Sequence, residues 1–306
     1  MPFLGMTRDE LRQALEELDQ AIFHHERWCE ELNRTLVCRL APDQRDVDEN
    51  AHRHCRFGQW LYGPGAARLG RHPAFEEIAK AHERMHRAAK SLLDASTAGQ
   101  TIELQRYERL VNALKEMRLE IANTKHELED ALLNIDPLSG AANRVGMLTK
   151  LREQHELVRR KAMACAIAMM DFDHFKGIND THGHSAGDQV IAKTSQMILR
   201  NMRPYDALYR YGGEEFLIAL PNTELAAARD ILERLRGAIA DMSFIDERGQ
   251  EFHVTASFGL TMLDPDVPVE RSIERADSAL YAAKAAGRNR IVVWEPAMAQ
   301  ASSRPR

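Results

Sequence analysis

The sequence predicts two dissimilar halves: an all-α four-helix bundle over 1–134, then an α/β domain of the α+β sandwich kind over 135–297, with a loose tail at 298–306. Three observations carry this reading. Apolar residues recur at steps of three and four through the first 134 residues, the mark of amphipathic helices. At Asp136-Pro137-Leu138-Ser139-Gly140 that pattern stops, because Pro137 biases its predecessor away from helical dihedrals and Gly140 favours a turn. Beyond the stop, short apolar runs alternate with helical stretches, which is the order of a layered sheet-and-helix domain.

In the first half, Leu11, Leu15, Leu18, Ile22, Leu32 and Leu36 line one face of a long helix over 7–40. Further helices follow at 52–62, 73–94 and 102–134, separated by Gly63-Pro64-Gly65 and Ser96-Thr97-Ala98-Gly99. In the last of these, Leu110, Leu114, Met117, Ile121, Leu128 and Ile135 keep a four-three repeat, with Thr124 and Ala131 in the weaker positions. Such a seam suits a parallel coiled coil between two copies of the chain, and equally a stripe packed inside its own bundle.

In the second half, the apolar run 164–170 ends in acid and reads as a buried strand. Strand patterns at 208–211 and 216–220 flank a Gly-Gly turn, and 252–262 is another strand. Helical patterns at 186–200, 224–240 and 273–286 supply the covering layers.

Composition limits the function. The chain has 306 residues, 44% hydrophobic and 28% charged, which describes a soluble globular protein. Its formal net charge of -5 argues against sequence-independent binding to nucleic acid or to an acidic membrane surface, both of which need surplus Lys and Arg. The start of the chain turns charged at Arg8-Asp9-Glu10 and no apolar stretch reaches a membrane span, so no membrane segment and a cytoplasmic location are expected. In that reducing compartment Cys29, Cys38 and Cys165 are expected as small buried apolar residues rather than disulfides.

Two segments carry chemistry. One is the strand ending in Asp171-Phe172-Asp173, and the other is the hairpin tip Gly212-Gly213-Glu214-Glu215. A strand end delivers a carboxylate rigidly, and glycines let a backbone turn tightly where phosphate approaches. Magnesium takes only one or two protein carboxylates and fills its other positions with phosphate oxygens and water. Either segment alone is more often an ordinary surface turn.

The segments Asp171-Phe172-Asp173-His174-Phe175-Lys176, Asn179-Asp180, Gly183-His184, Gly187-Asp188 and Arg210-Tyr211-Gly212-Gly213-Glu214-Glu215-Phe216 together resemble the GGDEF family of diguanylate cyclases in its GGEEF variant. The opening Asp136-Pro137-Leu138-Ser139-Gly140 through Asn143-Arg144, and the closing Tyr281-Ala282-Ala283-Lys284 through Gly287-Arg288-Asn289, extend the likeness over about 135–294. The resemblance implies a fold like nucleotidyl cyclases and polymerase palms, and synthesis of cyclic di-GMP from two GTP. It implies two magnesium ions, with manganese as an alternative, at Asp171, the Phe172 carbonyl and Glu214.

Asn179 and Asp188 would recognise guanine, with His184 in the same nucleotide-binding segment. Lys176, Lys284 and Arg288 would neutralise the triphosphate, and Glu215 or Glu214 would be the general base. Since each half-site holds one GTP, a homodimer is required. Arg203-Pro204-Tyr205-Asp206 fits the family's RxxD pattern, so Arg203 and Asp206 would bind the product as inhibitor. Ser139, Ala141 and His182 depart from the family's usual residues, and none of these removes a reacting group.

In the helical half, His82 and His86 stand four apart on one helix face. Cys55 lies in Cys55-Arg56-Phe57-Gly58-Gln59-Trp60, and His25 stands three before Trp28. Three His and one Cys would close a tetrahedral zinc site, a sensory or structural arrangement rather than a catalytic one. Cys-x-Phe-Gly-x-Trp followed by His-x-x-x-His resembles the chemoreceptor zinc-binding family, which implies zinc at His25, Cys55, His82 and His86. His24 is the alternative to His25, and Trp28 and Trp60 are expected to pack the bundle. Two further functions stay open: a non-catalytic protein that binds GTP or cyclic di-GMP, and a zinc-sensing scaffold.

Overall fold

The computed structural model describes residues 6–70 and 73–300. The end of the expected tail, 301–306, and the first five residues lie outside the described residues. The chain divides into two compact units, Met1–Leu133 and Asn134–Arg306.

The first unit is helical. Thr7 starts α1 (Arg8–Val37) with a capping box, accepting the Glu10 N–H at 3.3 Å while the Glu10 carboxylate accepts the Thr7 N–H at 2.7 Å. Leu11, Ala14, Leu18, Ala21, His25, Cys29 and Leu32 form its buried face. The second expected helix is instead two short ones, α2 (Ala51–His54) and α3 (Arg56–Leu61), and a further short helix, α4 (Pro64–Leu69), starts within the expected break at Gly63-Pro64-Gly65. Cys55 is the cause of the first break. Its backbone is extended and its thiol accepts the Gly58 N–H at 3.2 Å, capping α3. Gly58 then lies against the end of α2, where a Cβ would fall 1.8 Å from the His52 carbonyl oxygen.

Two long helices complete the unit, α5 (Pro73–Thr97) and α6 (Leu104–Leu133). Leu110, Met117, Ile121, Thr124 and Leu128 of the four-three seam are buried within this one chain, where α6 packs on α5 and α1. Cys38 corrects the expectation of burial: it caps the end of α1 and is exposed, since the buried face of the helix ends at Leu32.

The second unit is built on a six-stranded sheet. In chain order it runs β1 (Ala142–Asn143), α7 (Arg144–Arg159), β2 (Cys165–Phe172), α8 (Phe175–His182), α9 (His184–Asn201), β3 (Ala207–Arg210) and β4 (Glu215–Pro221). It continues through α10 (Leu225–Ala240), β5 (Ser243–Ile245), β6 (Glu251–His253), β7 (Ala256–Met262), α11 (Val269–Ala285) and β8 (Ile291–Val293). The strand order is β1-β3-β4-β2-β7-β8, and β5-β6 form a separate hairpin. The single strand expected at 252–262 is thus split between β6 and β7.

Every residue of β2 is buried, as a central strand covered on both faces requires. Ala166, Ala168, Met170 and Phe172 face a core shared with Val190, Ile191 and Leu232. Cys165, Ile167 and Met169 face the opposite core with Met147, Leu151, Ile273 and Leu280. The antiparallel pairing of β2 with β4 brings Asp171 opposite Glu215, so the chemistry-bearing ends of strand and hairpin meet.

Candidate active site and metal centre

Asp171 sits at the mouth of β2, 4% exposed, and its Oδ1 is 2.8 Å from Lys284 Nζ on α11. Burial raises its pKa above the ordinary carboxylate range, Glu215 and Asp173 add to the rise, and Lys284 opposes it. Glu214 is raised as well, by burial first and then by Asp171, again against Lys284. Asp171, Glu214 and Glu215 therefore act on one another through their charges, and Lys284 opposes the rise at Asp171 and Glu214. Carboxylates that raise one another's pKa are hard oxygen donors in want of positive charge, so the residues present fit a divalent cation of the magnesium type.

The hairpin tip is shaped for this. Neither Gly212 nor Gly213 has a left-handed φ. Gly212 is needed for space: a Cβ there would fall 2.5 Å from Glu215 Oε2. The Tyr211 and Gly212 N–H groups both donate to the Glu215 carbonyl, at 2.8 and 3.1 Å. A brace at its base had no signal assigned to it in the sequence. Asp136 Oδ1 accepts from the Ser139 N–H, the Ser139 hydroxyl and Arg210 Nη1, and Arg210 Nη2 donates to the Gly213 carbonyl at 2.7 Å. An Asp three before a Ser in a turn was the available sign.

The residues expected around the nucleotide border the same end of the sheet. Lys176 is exposed on the first turn of α8, and Asn179 lies on the same helix with its side chain against the Gly187 face of α9. His184 opens α9 and Asp188 follows one turn later, both exposed. Arg288 is in the turn after α11. Arg203 and Asp206 lie farther along, closing a turn in which Asp206 Oδ2 accepts the Arg203 N–H at 2.9 Å, with the rest of Arg203 exposed. Burial raises the pKa of Asp206, partly offset by that bond and the Arg203 charge.

In the helical unit, one ligand atom each from Cys55, His82 and His86 lies within 4.8 Å of the others, and Cys55 Sγ is 3.3 Å from His82 Nε2. His25 stands outside that trio, with its ring centroid 5.9 Å from that of His82. Its neighbour His24 points elsewhere, toward Arg56. His25 Nε2, His82 Nδ1 and both His86 ring nitrogens are buried with no hydrogen-bond partner. Burial lowers the pKa of all three imidazoles, to about 4 for His25 and about 3 for His86, and lifts the Cys55 thiol to about 11. Neutral imidazoles with orphaned nitrogens beside a thiol are the donor set of zinc, so these residues fit that ion.

Cys29 and Trp28 hold this cluster in ways the sequence did not disclose. Cys29 Sγ is 3.6 Å from His25 Nδ1, leaving Nε2 as the open nitrogen. Trp28 packs on His86 with centroids 4.4 Å apart and donates its indole N–H to Asp46 at 2.8 Å.

The sequence pattern of the family described as "Diguanylate cyclase, GGDEF domain" matches residues 133–290, more than half of the chain. The chain belongs to the GGDEF family of diguanylate cyclases. Ahead of its GGDEF domain, residues 25–93 match the chemoreceptor zinc-binding domain. The diguanylate cyclase DgcP of Pseudomonas aeruginosa is 42% identical over 158 residues, which is 52% of this chain but 23% of DgcP. DgcZ of Escherichia coli, also named a diguanylate cyclase, is 28% identical over 92% of this chain and 94% of its own.

Among solved structures, the coiled coil and GGDEF domain of DgcB from Caulobacter crescentus, crystallised with cyclic di-GMP, superposes with a TM-score of 0.54 at 31% identity. It covers 60% of this chain and 98% of that one. The cyclase SiaD of Pseudomonas aeruginosa, in complex with its activator SiaC, gives 0.52 at 30% identity over 86% and 98%. These neighbours share the palm-like α/β fold of the GGDEF domain. None of the described helices is long and apolar enough to cross a membrane.

Proposed function

We propose that this GGDEF protein condenses two GTP into cyclic di-GMP and two pyrophosphates, within a homodimer whose copies each present one loaded site. The observation that carries this reading is the convergence of Asp171, Glu214 and Glu215 at the meeting of β2 and the β3–β4 hairpin, with Lys284 among them. Asp171, the Phe172 carbonyl and Glu214 would hold two magnesium ions, or manganese. Such ions, when bound, polarise the α-phosphate and acidify the attacking hydroxyl.

The remaining steps belong to the chain. Asn179 and Asp188 hold guanine, and His184 borders it. Lys176, Lys284 and Arg288 take up triphosphate charge. The 3′-oxygen of each GTP bonds to the α-phosphorus of the other, the bond from that phosphorus to the pyrophosphate oxygen breaks, and the 3′-hydroxyl proton passes to Glu215 or Glu214. One copy alone cannot face two nucleotides in this way.

Two controls accompany this activity. Zinc at His25, Cys55, His82 and His86 changes the packing of α1, α3 and α5, and α6 of the same unit leads by chain continuity into Asp136. The encounter of two loaded sites is sensitive to small displacements: a misplacement of about 1 Å costs on the order of a hundredfold in rate. Cyclic di-GMP at Arg203 and Asp206 supplies the second control, through a forked guanidinium and a carboxylate. The deciding experiment incubates purified protein with GTP and magnesium, with and without stoichiometric zinc, and measures cyclic di-GMP. No product under any of these conditions rejects the enzyme in favour of a nucleotide-binding signalling protein.

A further inference from the structure

One buried carboxylate beside the active site has no part in the chemistry above. Asp173 follows β2 and is 4% exposed. Its Oδ1 accepts the Ser257 hydroxyl at 2.7 Å, and its Oδ2 accepts the Thr255 hydroxyl at 2.7 Å and the Asn289 N–H at 2.9 Å. Its own N–H donates to the Thr255 carbonyl at 2.8 Å. Among the described residues no Lys, Arg or His forms an ion pair with it. A carboxylate is expensive to bury, and here three donors converging from two segments offset that cost.

The third donor shows what this arrangement holds. Asn289 lies in a turn of three successive left-handed residues, Gly287, Arg288 and Asn289, with φ of 110°, 62° and 45°. A left-handed arginine is uncommon and persists only where its surroundings impose it. The Arg288 N–H is held by the Ala283 carbonyl at 3.0 Å, and the Asn289 side chain accepts Arg236 Nη1 at 2.6 Å. The Asn289 N–H is held by Asp173. Asp171 and Asp173, two apart in extended chain, thus grip the segment following β7 at two points, Lys284 and Asn289.

We propose that Asp173 is a positioning residue for substrate binding: it imposes the left-handed turn that aims Arg288 at the nucleotide triphosphate. The proposal rests on the triphosphate role given to Arg288 above. It separates the two outer members of Asp171-Phe172-Asp173: Asp171 addresses cation, and Asp173 addresses the backbone that carries an arginine. Alanine in its place would leave all three donors without an acceptor, whereas asparagine would keep an oxygen for Thr255 and Asn289 and donate its amide N–H to the Ser257 hydroxyl oxygen.

The test is a double-mutant cycle read by equilibrium binding of 3′-deoxy-GTP with magnesium, which cannot turn over, alongside the KM for GTP. Asp173→Ala should weaken binding about tenfold in the wild-type background and leave it nearly unchanged in Arg288→Ala, because coupled residues are not additive. An equal loss in both backgrounds would reduce Asp173 to a fold-stabilising residue and overturn the proposal, while leaving the cyclase reading intact. Unweakened binding by Arg288→Ala alone would remove the triphosphate role and the proposal with it. If Asp173→Ala does not fold, Thr255→Val deletes a single donor. It should show a smaller loss that likewise vanishes in Arg288→Ala, and persistence of that loss counts against the proposal.

Discussion

The two units bury polar groups in opposite ways. In the GGDEF unit, Asp173 is fully partnered by Thr255, Ser257 and Asn289, and Asp171 is answered by Lys284. In the helical unit, His25, His82 and His86 are buried with ring nitrogens that no protein atom meets. A buried polar atom without a partner is costly, and a folded chain retains one only where something else completes it. The GGDEF unit thus satisfies its buried carboxylates with its own side chains, whereas the histidine cluster keeps buried ring nitrogens whose chemistry fits zinc.

The sharpest way to break this contrast is to remove a carboxylate from the GGDEF unit. Glu214→Ala should cut cyclic di-GMP synthesis by at least about a hundredfold with an unchanged melting curve, since Glu214 lies at a hairpin tip rather than in the core. Asp171→Asn should behave in the same way. Retained synthesis in either variant would move the cation site elsewhere.

Next in size is the effect at the histidine cluster. Protein purified with zinc should carry about one ion per chain, and the Cys55→Ala, His82→Ala variant none, by elemental analysis. Stripping the ion from wild type should lower the melting temperature of the helical unit and alter the cyclase rate. An identical melting curve with and without zinc would mean that the orphaned nitrogens are satisfied some other way.

Acid should find the same weakness in metal-free protein. The three imidazoles have pKa values below the ordinary 6.5, about 4 for His25 and about 3 for His86, through burial. Between pH 6.5 and these values the unfolded chain binds more protons than the folded one. The stability of the helical unit is therefore fully present above about 6.5 and falls as pH drops through that window. Urea titrations of chelated protein at pH 7.5 and 5 measure this, and equal midpoints would refute it. The smallest effect concerns Arg203, whose guanidinium is exposed. Arg203→Ala should raise the cyclic di-GMP concentration needed for half inhibition about tenfold, leaving the initial rate unchanged. Superimposable inhibition curves would leave Arg203-Pro204-Tyr205-Asp206 as a surface turn.

Much of this was legible in the residues because the signals were local. The spacing of His82 and His86, the acid at the end of β2 and the Gly-Gly hairpin are each patterns within a few residues, and helix and strand periodicity placed them on the right elements. Local patterns also misled. Cys55 breaks the second helix in two, since the thiol caps α3 rather than continuing a turn. Cys38 is exposed because the buried stripe of α1 ends at Leu32, and Val37 beside it is exposed as well.

By itself the sequence determined the two-part architecture, the family motifs and which residue types could bind metal and nucleotide, because periodicity and short motifs are properties of neighbouring positions. Only the tertiary structure decided which distant groups meet. It joined Asp171 to Lys284 across 113 positions of chain, as the distance of 2.8 Å between them records, and Asp173 to Asn289. It set Trp28 against His86 and left the ring nitrogens of that cluster unpartnered. Partnership between buried polar groups depends on which surfaces the packed core brings within hydrogen-bonding distance, and no local pattern specifies that.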